Sequence, residues 1–184
     1  MTMTDAEVVR RVLDGETEEF SLLADRYYDR CLRLASHLLG GTADAEDVVQ
    51  DAFLRAYRHL ASYQERDRFA AWLFRIVVNQ CRTVGARRRG MAALHERAAA
   101  ERDPDEIAVA HPSDGEALRD ELQRALATLD ADQREAVVLR FTEDLSYDEM
   151  SALTGVGVSA LKMRVQRACR RLRAILTETS HVRV

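Results

Sequence analysis

Between Ser159 and Arg173 the sequence holds Lys162, Arg164, Arg167, Arg170, Arg171 and Arg173 and no acid. On a helical wheel Leu161, Val165, Ala168, Leu172 and Ile175 gather within about 80° and form the seam such a helix buries, with Cys169 and Leu176 beside it. Met163, Gln166, Arg167, Arg170 and Arg173 fall on the opposite side, and Lys162, Arg164 and Arg171 on its flanks. A solvated helix face usually mixes signs at i, i+4, so an all-basic face points to a polyanion. Lys162, Met163, Gln166 and Arg167 are placed to meet base edges in a major groove, and Arg170, Arg171 and Arg173 to meet phosphates. The last three also suit the negative end of the helix dipole, which explains them without DNA.

A second basic stripe precedes it. Arg68, Arg75, Asn79 and Arg82 lie within about 60° of one another on a helical wheel, Trp72 borders them, and Arg87-Arg88-Arg89 continues the charge. The loop before them supplies Tyr63, Gln64 and Arg66. Rings interleaved with Arg suit single-stranded nucleic acid, where stacking is worth ~1–3 kcal/mol per base. Trp72 is explained equally well as a core residue, and the Arg run alone as solvated chain.

Asp44, Asp47 and Asp51 recur at i, i+3, i+7, with Val48 on the same face and Gln50 nearby. Aspartates in a first turn are favoured by the dipole. Asp47 and Asp51 nevertheless form a like-charge i, i+4 pair that costs about 0.2–0.5 kcal/mol. An apolar Val48 inside such a stripe suggests a protein partner with a basic helix. Carboxylates on helices also suit Mg²⁺ in nucleotide hydrolysis, but no second acidic helix or basic phosphate clamp accompanies these.

Helices must position all three faces. A capping box, Thr4-x-x-Glu7, opens a short helix to Leu13. A second starts near Thr17, buries Phe20, Leu23, Tyr27, Cys31, Leu34 and Leu38, and stops at Gly40-Gly41. A third starts at Thr42 to Asp44 and buries Val49, Phe53, Ala56, Leu60 and Tyr57; a fourth buries Phe69, Leu73, Ile76, Val77 and Val84. Long helices joined by short loops predict a compact bundle over 15–90. From Met91 to Gly115 periodicity fails in an Ala-rich, then acidic stretch with Pro104 and Pro112, which reads as a flexible linker with a transient helix over Ala92 to Arg102. Leu118, Leu122, Leu126 and Leu129 mark the next helix, and Asp130-x-x-Gln133 opens another through Val137, Val138 and Phe141. Ser146-Tyr-Asp-Glu149 caps a helix of about eight residues to Thr154, Gly155-Val-Gly157 turns the chain, and Ser159 caps a long basic helix to about Leu176. That order is the helix-turn-helix pattern, with a plain αα-hairpin as the alternative.

The composition agrees. Eight Gly and two Pro in 184 residues leave little turn punctuation for a many-stranded sheet, so the chain is expected to be all-α. No run of about 18 apolar residues and no basic-then-apolar start exist, which keeps the chain in the cytoplasm. Cys31, Cys81 and Cys169 are odd in number and far apart, excluding a disulfide framework and a structural zinc site. The net charge of −4 conceals islands: residues 64–90 carry 7 basic and 2 acidic groups, and 159–173 carry 6 and none. Two basic islands in an acidic chain predict two separate contacts with a polyanion. Acidic segments such as 96–121 are expected to mask them in the free chain.

Asp44-Ala-Glu-Asp-Val-Val-Gln-Asp-Ala-Phe53, Trp72-Leu-Phe-Arg-Ile-Val-Val-Asn79, Leu145-Ser-Tyr-Asp-Glu-Met150 and Ala160-Leu-Lys-Met-Arg-Val-Gln-Arg-Ala168 resemble the extracytoplasmic-function group of the bacterial sigma-70 family. The resemblance covers about 17–90 and 116–176, in order. It implies two small helical domains, 1–90 and 116–178, joined by the linker 91–115, and a non-enzymatic initiation subunit without cofactor or metal. Its implied partners are core RNA polymerase, through the beta-prime clamp and the beta flap, promoter DNA, and an anti-sigma factor. Asp44, Asp47, Val48, Gln50 and Asp51 would meet the clamp. Tyr63, Gln64, Arg66, Arg68, Trp72, Arg75, Asn79, Arg82, Arg87 and Arg88 would read and open the minus-ten element. Ser159, Lys162, Met163, Gln166, Arg167, Arg170 and Arg171 would read the minus-thirty-five element. The recognition helix opens Ser159-Ala-Leu-Lys-Met-Arg164 where the family usually has Gly-Thr-Val-Lys-Ser-Arg, and Gly157 replaces the usual Pro of the turn, so no promoter sequence carries over. A helix-turn-helix regulator acting without polymerase is the alternative; it leaves the second to fourth helices without a task.

Overall fold

A computed structural model describes residues 3–41, 44–64, 68–98 and 114–182, without side-chain detail at 92–98, 114–120 and 177–182. Among the described residues the regular structure is entirely helical: α1 (Asp5–Leu13), α2 (Phe20–Leu39), α3 (Ala45–Arg58), α4 (Phe69–Ala98), α5 (Asp114–Ala127), α6 (Ala131–Val137), α7 (Tyr147–Thr154) and α8 (Val158–Val182). Local chemistry explains most boundaries. The Thr4 hydroxyl accepts from the Glu7 N–H at 3.3 Å, while the Glu7 carboxylate accepts from the Thr4 N–H at 2.7 Å. The same reciprocal pair opens α7, where Ser146 Oγ accepts from the Glu149 N–H at 3.2 Å and Glu149 accepts from the Ser146 N–H at 2.9 Å. Asp130 caps α6 by accepting from the Gln133 N–H at 2.8 Å. Gly40 and Gly155 end α2 and α7 at φ 75° and 73°, left-handed conformations that glycine adopts without strain.

The first domain packs α2, α3 and α4 around Leu23, Cys31, Leu34, Val49, Phe53, Ala56, Leu73, Phe74 and Val77, with α1 adding Val8, Val9 and Val12. The second folds α5 to α8 around Leu126, Leu129, Leu139, Met150, Leu161, Val165 and Ala168. Three expectations about buried positions and boundaries change. Tyr57 is 41% exposed, with one edge against Phe20 at 5.3 Å, and is not a core residue. Leu122 is 43% exposed. The helix of the basic stripe runs to Ala98, into the stretch where a transient helix over Ala92 to Arg102 is expected, and α5 begins at Asp114; the rest of the 91–115 linker lies outside the described residues. Finally, α8 starts at Val158, whose predecessor Gly157 provides the carbonyl for the Leu161 N–H at 3.0 Å. Ser159 therefore sits within the first turn instead of capping it.

Phe141, expected to pack, is 64% exposed. Val138–Thr142 continues α6 as a π-helical turn, with the Glu143 N–H reaching the Val138 carbonyl at 3.2 Å. The wider turn advances the register, so a 3.6-residue spacing that aligns Phe141 with Val137 no longer holds and Glu143 turns inward instead.

The two domains are docked. One apolar cluster runs through both, α7 lies against α4, and α2 meets α6. Arg30 of α2 binds the Glu143 carboxylate at 2.6 Å and its carbonyl at 3.3 Å, with its guanidinium 4.7 Å from the Phe74 ring centroid. Arg134 of α6 donates to Leu38 O at 3.2 Å on α2 and to Leu126 O and Ala127 O of α5, each at 2.8 Å. Gly40 leaves room for this, since a Cβ there would stand 3.3 Å from an Arg134 nitrogen.

Candidate nucleic-acid interface

On α3 the first turns expose Asp47, Gln50 and Asp51, as the spacing predicts. Val48 does not join them: at 3% exposure it belongs to the core, because its place on the wheel borders Val49 and Ala52 as closely as it borders Asp47. The exposed apolar side chain on this face is Leu54, 53% accessible, one helical turn beyond Gln50 and Asp51. Asp44 departs from the stripe in another way. It is ion-paired with Arg88 of α4. Arg88 in turn donates to Leu39 O at 3.4 Å, so two residues expected to meet different partners bind each other at the edge of the bundle.

The α4 stripe is continuous along one side of the first domain. Arg68, Arg75, Asn79, Arg82, Arg87 and Arg88 are all exposed, with Arg82 Nη1 lying 3.5 Å from Asn79 Oδ1. Tyr63, Trp72 and Phe69 form a three-ring cluster with centroids 5.5 to 5.6 Å apart. Phe69 is its buried member and Tyr63 and Trp72 are half-buried, so Trp72 has one side in the core and one toward the Arg stripe. Gln64 is exposed at the entrance of the loop, and Arg66 lies outside the described residues.

On α8, Ser159, Lys162, Met163, Gln166, Arg167, Arg170 and Arg171 are all exposed, opposite the buried Leu161, Val165 and Ala168. Lys162 stands over the Tyr147 ring of α7 at 5.7 Å, and Arg164 is held by Asp132 of α6 at 2.6 Å. These contacts fix the flanks of the helix, and Met163, Gln166, Arg167 and Arg170 are the side chains that stand clear of them.

The sequence reading missed the residues that join the domains: Arg30, Arg134, Glu135 and Glu143. A buried Glu signals such a role only once its partner is known. Glu143 is 3% exposed, and burial raises its pKa while Arg30 and Arg33 pull it down. Among the described residues the acids that reach the basic α4 face are Asp44, Glu135 and Glu149; the segment 96–121, expected to mask it, lies almost wholly outside the described side chains. Burial pushes the Cys31 and Cys81 thiols up to about 12, so neither is a thiolate nucleophile at neutral pH. No three His, Cys, Asp or Glu side chains among the described residues converge as a metal site, and no described helix is long and apolar enough to cross a membrane.

The sequence matches the family model of sigma-70 region 2 over residues 23–90 and that of sigma-70 region 4 over 119–172. It is 33% identical over 174 residues to the ECF RNA polymerase sigma-E factor of Escherichia coli strain K12, spanning 90% of this chain and 91% of that one. It is 38% identical over 164 residues to the ECF RNA polymerase sigma factor SigE of Mycolicibacterium smegmatis, spanning 86% of this chain and 62% of that one. Among solved structures, the sigma factor RpoE of Bartonella quintana in complex with the anti-sigma factor NepR matches with a TM-score of 0.70 at 29% identity, over 87% of this chain and 98% of that one. CnrH in complex with the cytosolic domain of CnrY matches with a TM-score of 0.69 at 27% identity, over 95% and 97%.

Proposed function

Because the chain belongs to the sigma-70 family of RNA polymerase sigma factors, in its extracytoplasmic-function group, we propose that it binds core RNA polymerase in the cytoplasm, carries it to specific promoters and opens the DNA there, without enzymatic activity of its own. The observation that carries this reading is the order of three faces on one chain: exposed acids on α3, Arg and rings on α4, and an acid-free basic face on α8.

Each face has a task suited to its chemistry. Asp47, Gln50, Asp51 and the exposed Leu54 dock on a basic helix of the polymerase clamp, with charge selecting the partner and the leucine adding apolar contact. The face from Tyr63 through Asn79 and Arg82 takes the unpaired minus-ten strand, whose bases stack on Trp72 and Tyr63 while Arg68, Arg75 and Arg82 follow the backbone. The N-terminal half of α8 enters the major groove of the minus-thirty-five element, with Lys162, Gln166 and Arg167 at base edges and Arg170 and Arg171 at phosphates. We assign the domains as 1–90 and 116–178, with 91–115 between them, and the second domain also meets the beta flap. Two relatives of known structure are complexes with an anti-sigma factor or a cytosolic partner domain, which supports an anti-sigma partner for this chain.

The deciding experiment adds the purified chain to core polymerase and sequences the transcripts from a randomised promoter library. Enrichment of a two-part motif supports the reading. Promoter-independent transcription, or binding of the motif by the chain without any effect of core, overturns it in favour of a polymerase-independent regulator.

A further inference from the structure

The short helix α1 carries none of the three faces and has no task in the reading above. Val8, Val9 and Val12 bury one side of it against the first domain. Its first residue, Asp5, makes contacts of another kind. One carboxylate oxygen accepts from the Tyr27 hydroxyl of α2 at 2.6 Å. The other is ion-paired with Arg26, whose Nη2 donates to Met3 O at 2.8 Å. Burial raises the Tyr27 pKa and the bond to Asp5 raises it further, so the phenol stays protonated and remains the donor.

From Tyr27 the contacts lead to the aromatic end of the α4 stripe. The Tyr27 ring centroid lies 5.5 Å from that of Phe69, the first residue of α4, which is 2% exposed. Phe69 in turn touches the Tyr63 and Trp72 rings, each at 5.6 Å, and those two meet at 5.5 Å. A second route reaches the same place, because α1 also lies against the turn Leu60–Ser62, whose Leu60 carbonyl accepts from the Tyr63 N–H at 3.0 Å. Tilted ring contacts constrain an angle weakly, whereas a hydrogen bond to a carboxylate fixes both a distance and a direction. In this series the bond from Tyr27 to Asp5 is the contact of the second kind.

We propose that Asp5 and Tyr27 are positioning residues for promoter opening: Asp5 locks the Tyr27 ring, and through Phe69 that ring holds Tyr63 and Trp72 in the arrangement on which an unpaired base stacks. A surface ordered before the base arrives is spared the cost of ordering its side chains on binding. The helix α1 thereby belongs to the strand-opening apparatus without touching DNA. The proposal rests on the stacking role given above to Tyr63 and Trp72.

Trp72 is the single tryptophan of the chain, so its fluorescence reports on the ring cluster directly. The test compares the full chain with Tyr27→Phe, which keeps the ring and removes the hydroxyl, and with Asp5→Ala, which removes the acceptor. Both variants are expected to raise acrylamide quenching of Trp72 in the free chain. In holoenzyme, on a promoter selected from the library, both should slow opening about fivefold, the low end of what one stacked base is worth, with closed-complex affinity unchanged. The double variant should be no slower than either single one, because both remove the same bond. Wild-type quenching and opening in folded variants overturn the proposal. So do single effects that add, or a lowered melting temperature with unchanged quenching and opening, either of which makes the two residues plain packing elements. Should Asp5→Ala not fold, Tyr27→Phe decides alone. Trp72→Ala in the same holoenzyme tests the reading beneath. Undiminished opening there contradicts the stacking role itself, whereas slow opening with Trp72→Ala and normal opening with Tyr27→Phe contradicts the positioning role alone.

Discussion

Asp44, the residue before α3, is ion-paired with Arg88 of α4. The pair ties the start of the acidic helix to the basic end of its neighbour, and it divides the acidic stripe into one carboxylate engaged within the bundle and two, Asp47 and Asp51, turned outward.

That division predicts unequal mutants. Asp47→Arg with Asp51→Arg should abolish binding to core polymerase, because like charges at a basic partner helix cost several kcal/mol. Asp44→Ala should leave core binding nearly intact. Competition against the wild-type chain for labelled core polymerase measures both. Comparable losses for the two variants would return Asp44 to the docking face.

Val48 and Leu54 should separate in the opposite sense. Leu54→Ala removes an exposed side chain and should weaken core binding by about 1–2 kcal/mol with an unchanged melting temperature. Val48→Ala opens a cavity in the first domain and should cost about 1–3 kcal/mol of stability while sparing the affinity of the folded fraction. Thermal denaturation beside equilibrium binding checks the pair; a stable Val48→Ala protein with weak core binding would restore Val48 to the interface.

Val48 also illustrates what the sequence can and cannot convey. The caps at Thr4, Asp130 and Ser146 were legible because a capping box is a local exchange of hydrogen bonds, and the buried seam of α8 was legible because its period is local too. A residue at the border of two wheel faces depends instead on which neighbour arrives. Val48 was drawn inward by the packing of α3 against α2 and α4. Phe141 was misplaced because a π turn adds to the helical register without a marker in composition. Glu135 and Glu143 carry no local signal of their roles, since their partners Arg82 and Arg30 lie 53 and 113 residues away. What was legible of the site was the chemistry of each face; how the faces cover one another was not.

Glu143 and Glu149 of the second domain should respond to pH with opposite signs. Glu149 accepts from Ser146 N–H and Oγ, which lowers its pKa below the ordinary 4.5. Its contribution to α7 is complete above about pH 4.5 and is lost as pH falls through the lowered folded value. Glu143 is buried, which raises its pKa above 4.5. Its charged form is penalised in the docked state, and the penalty grows as pH rises from 4.5 through the raised value. Mild acid should therefore tighten the docking of the domains, and stronger acid should fray α7. Hydrogen exchange across a pH series, corrected for intrinsic rates, resolves the two segments. Parallel loss of protection in both would contradict the sign assigned to Glu143.

On α8 the wheel separates specificity from general affinity. Arg167 is exposed on the face opposite Leu161 and Val165, at the level where a groove-bound helix meets base edges. Alanine there should cost ~1–3 kcal/mol against the cognate upstream element and relax preference at particular base pairs. Arg171 lies one turn further toward the C-terminus and on a flank, nearer the phosphates. Its loss should weaken all sequences alike and reduce the salt slope by about 0.9 for the one contact removed. Arg164 should matter less directly, because Asp132 already holds its guanidinium. The comparison is made with holoenzyme on a promoter library at several salt concentrations. An equal, sequence-independent loss for Arg167→Ala and Arg171→Ala would show that α8 lies along the backbone and does not read the groove.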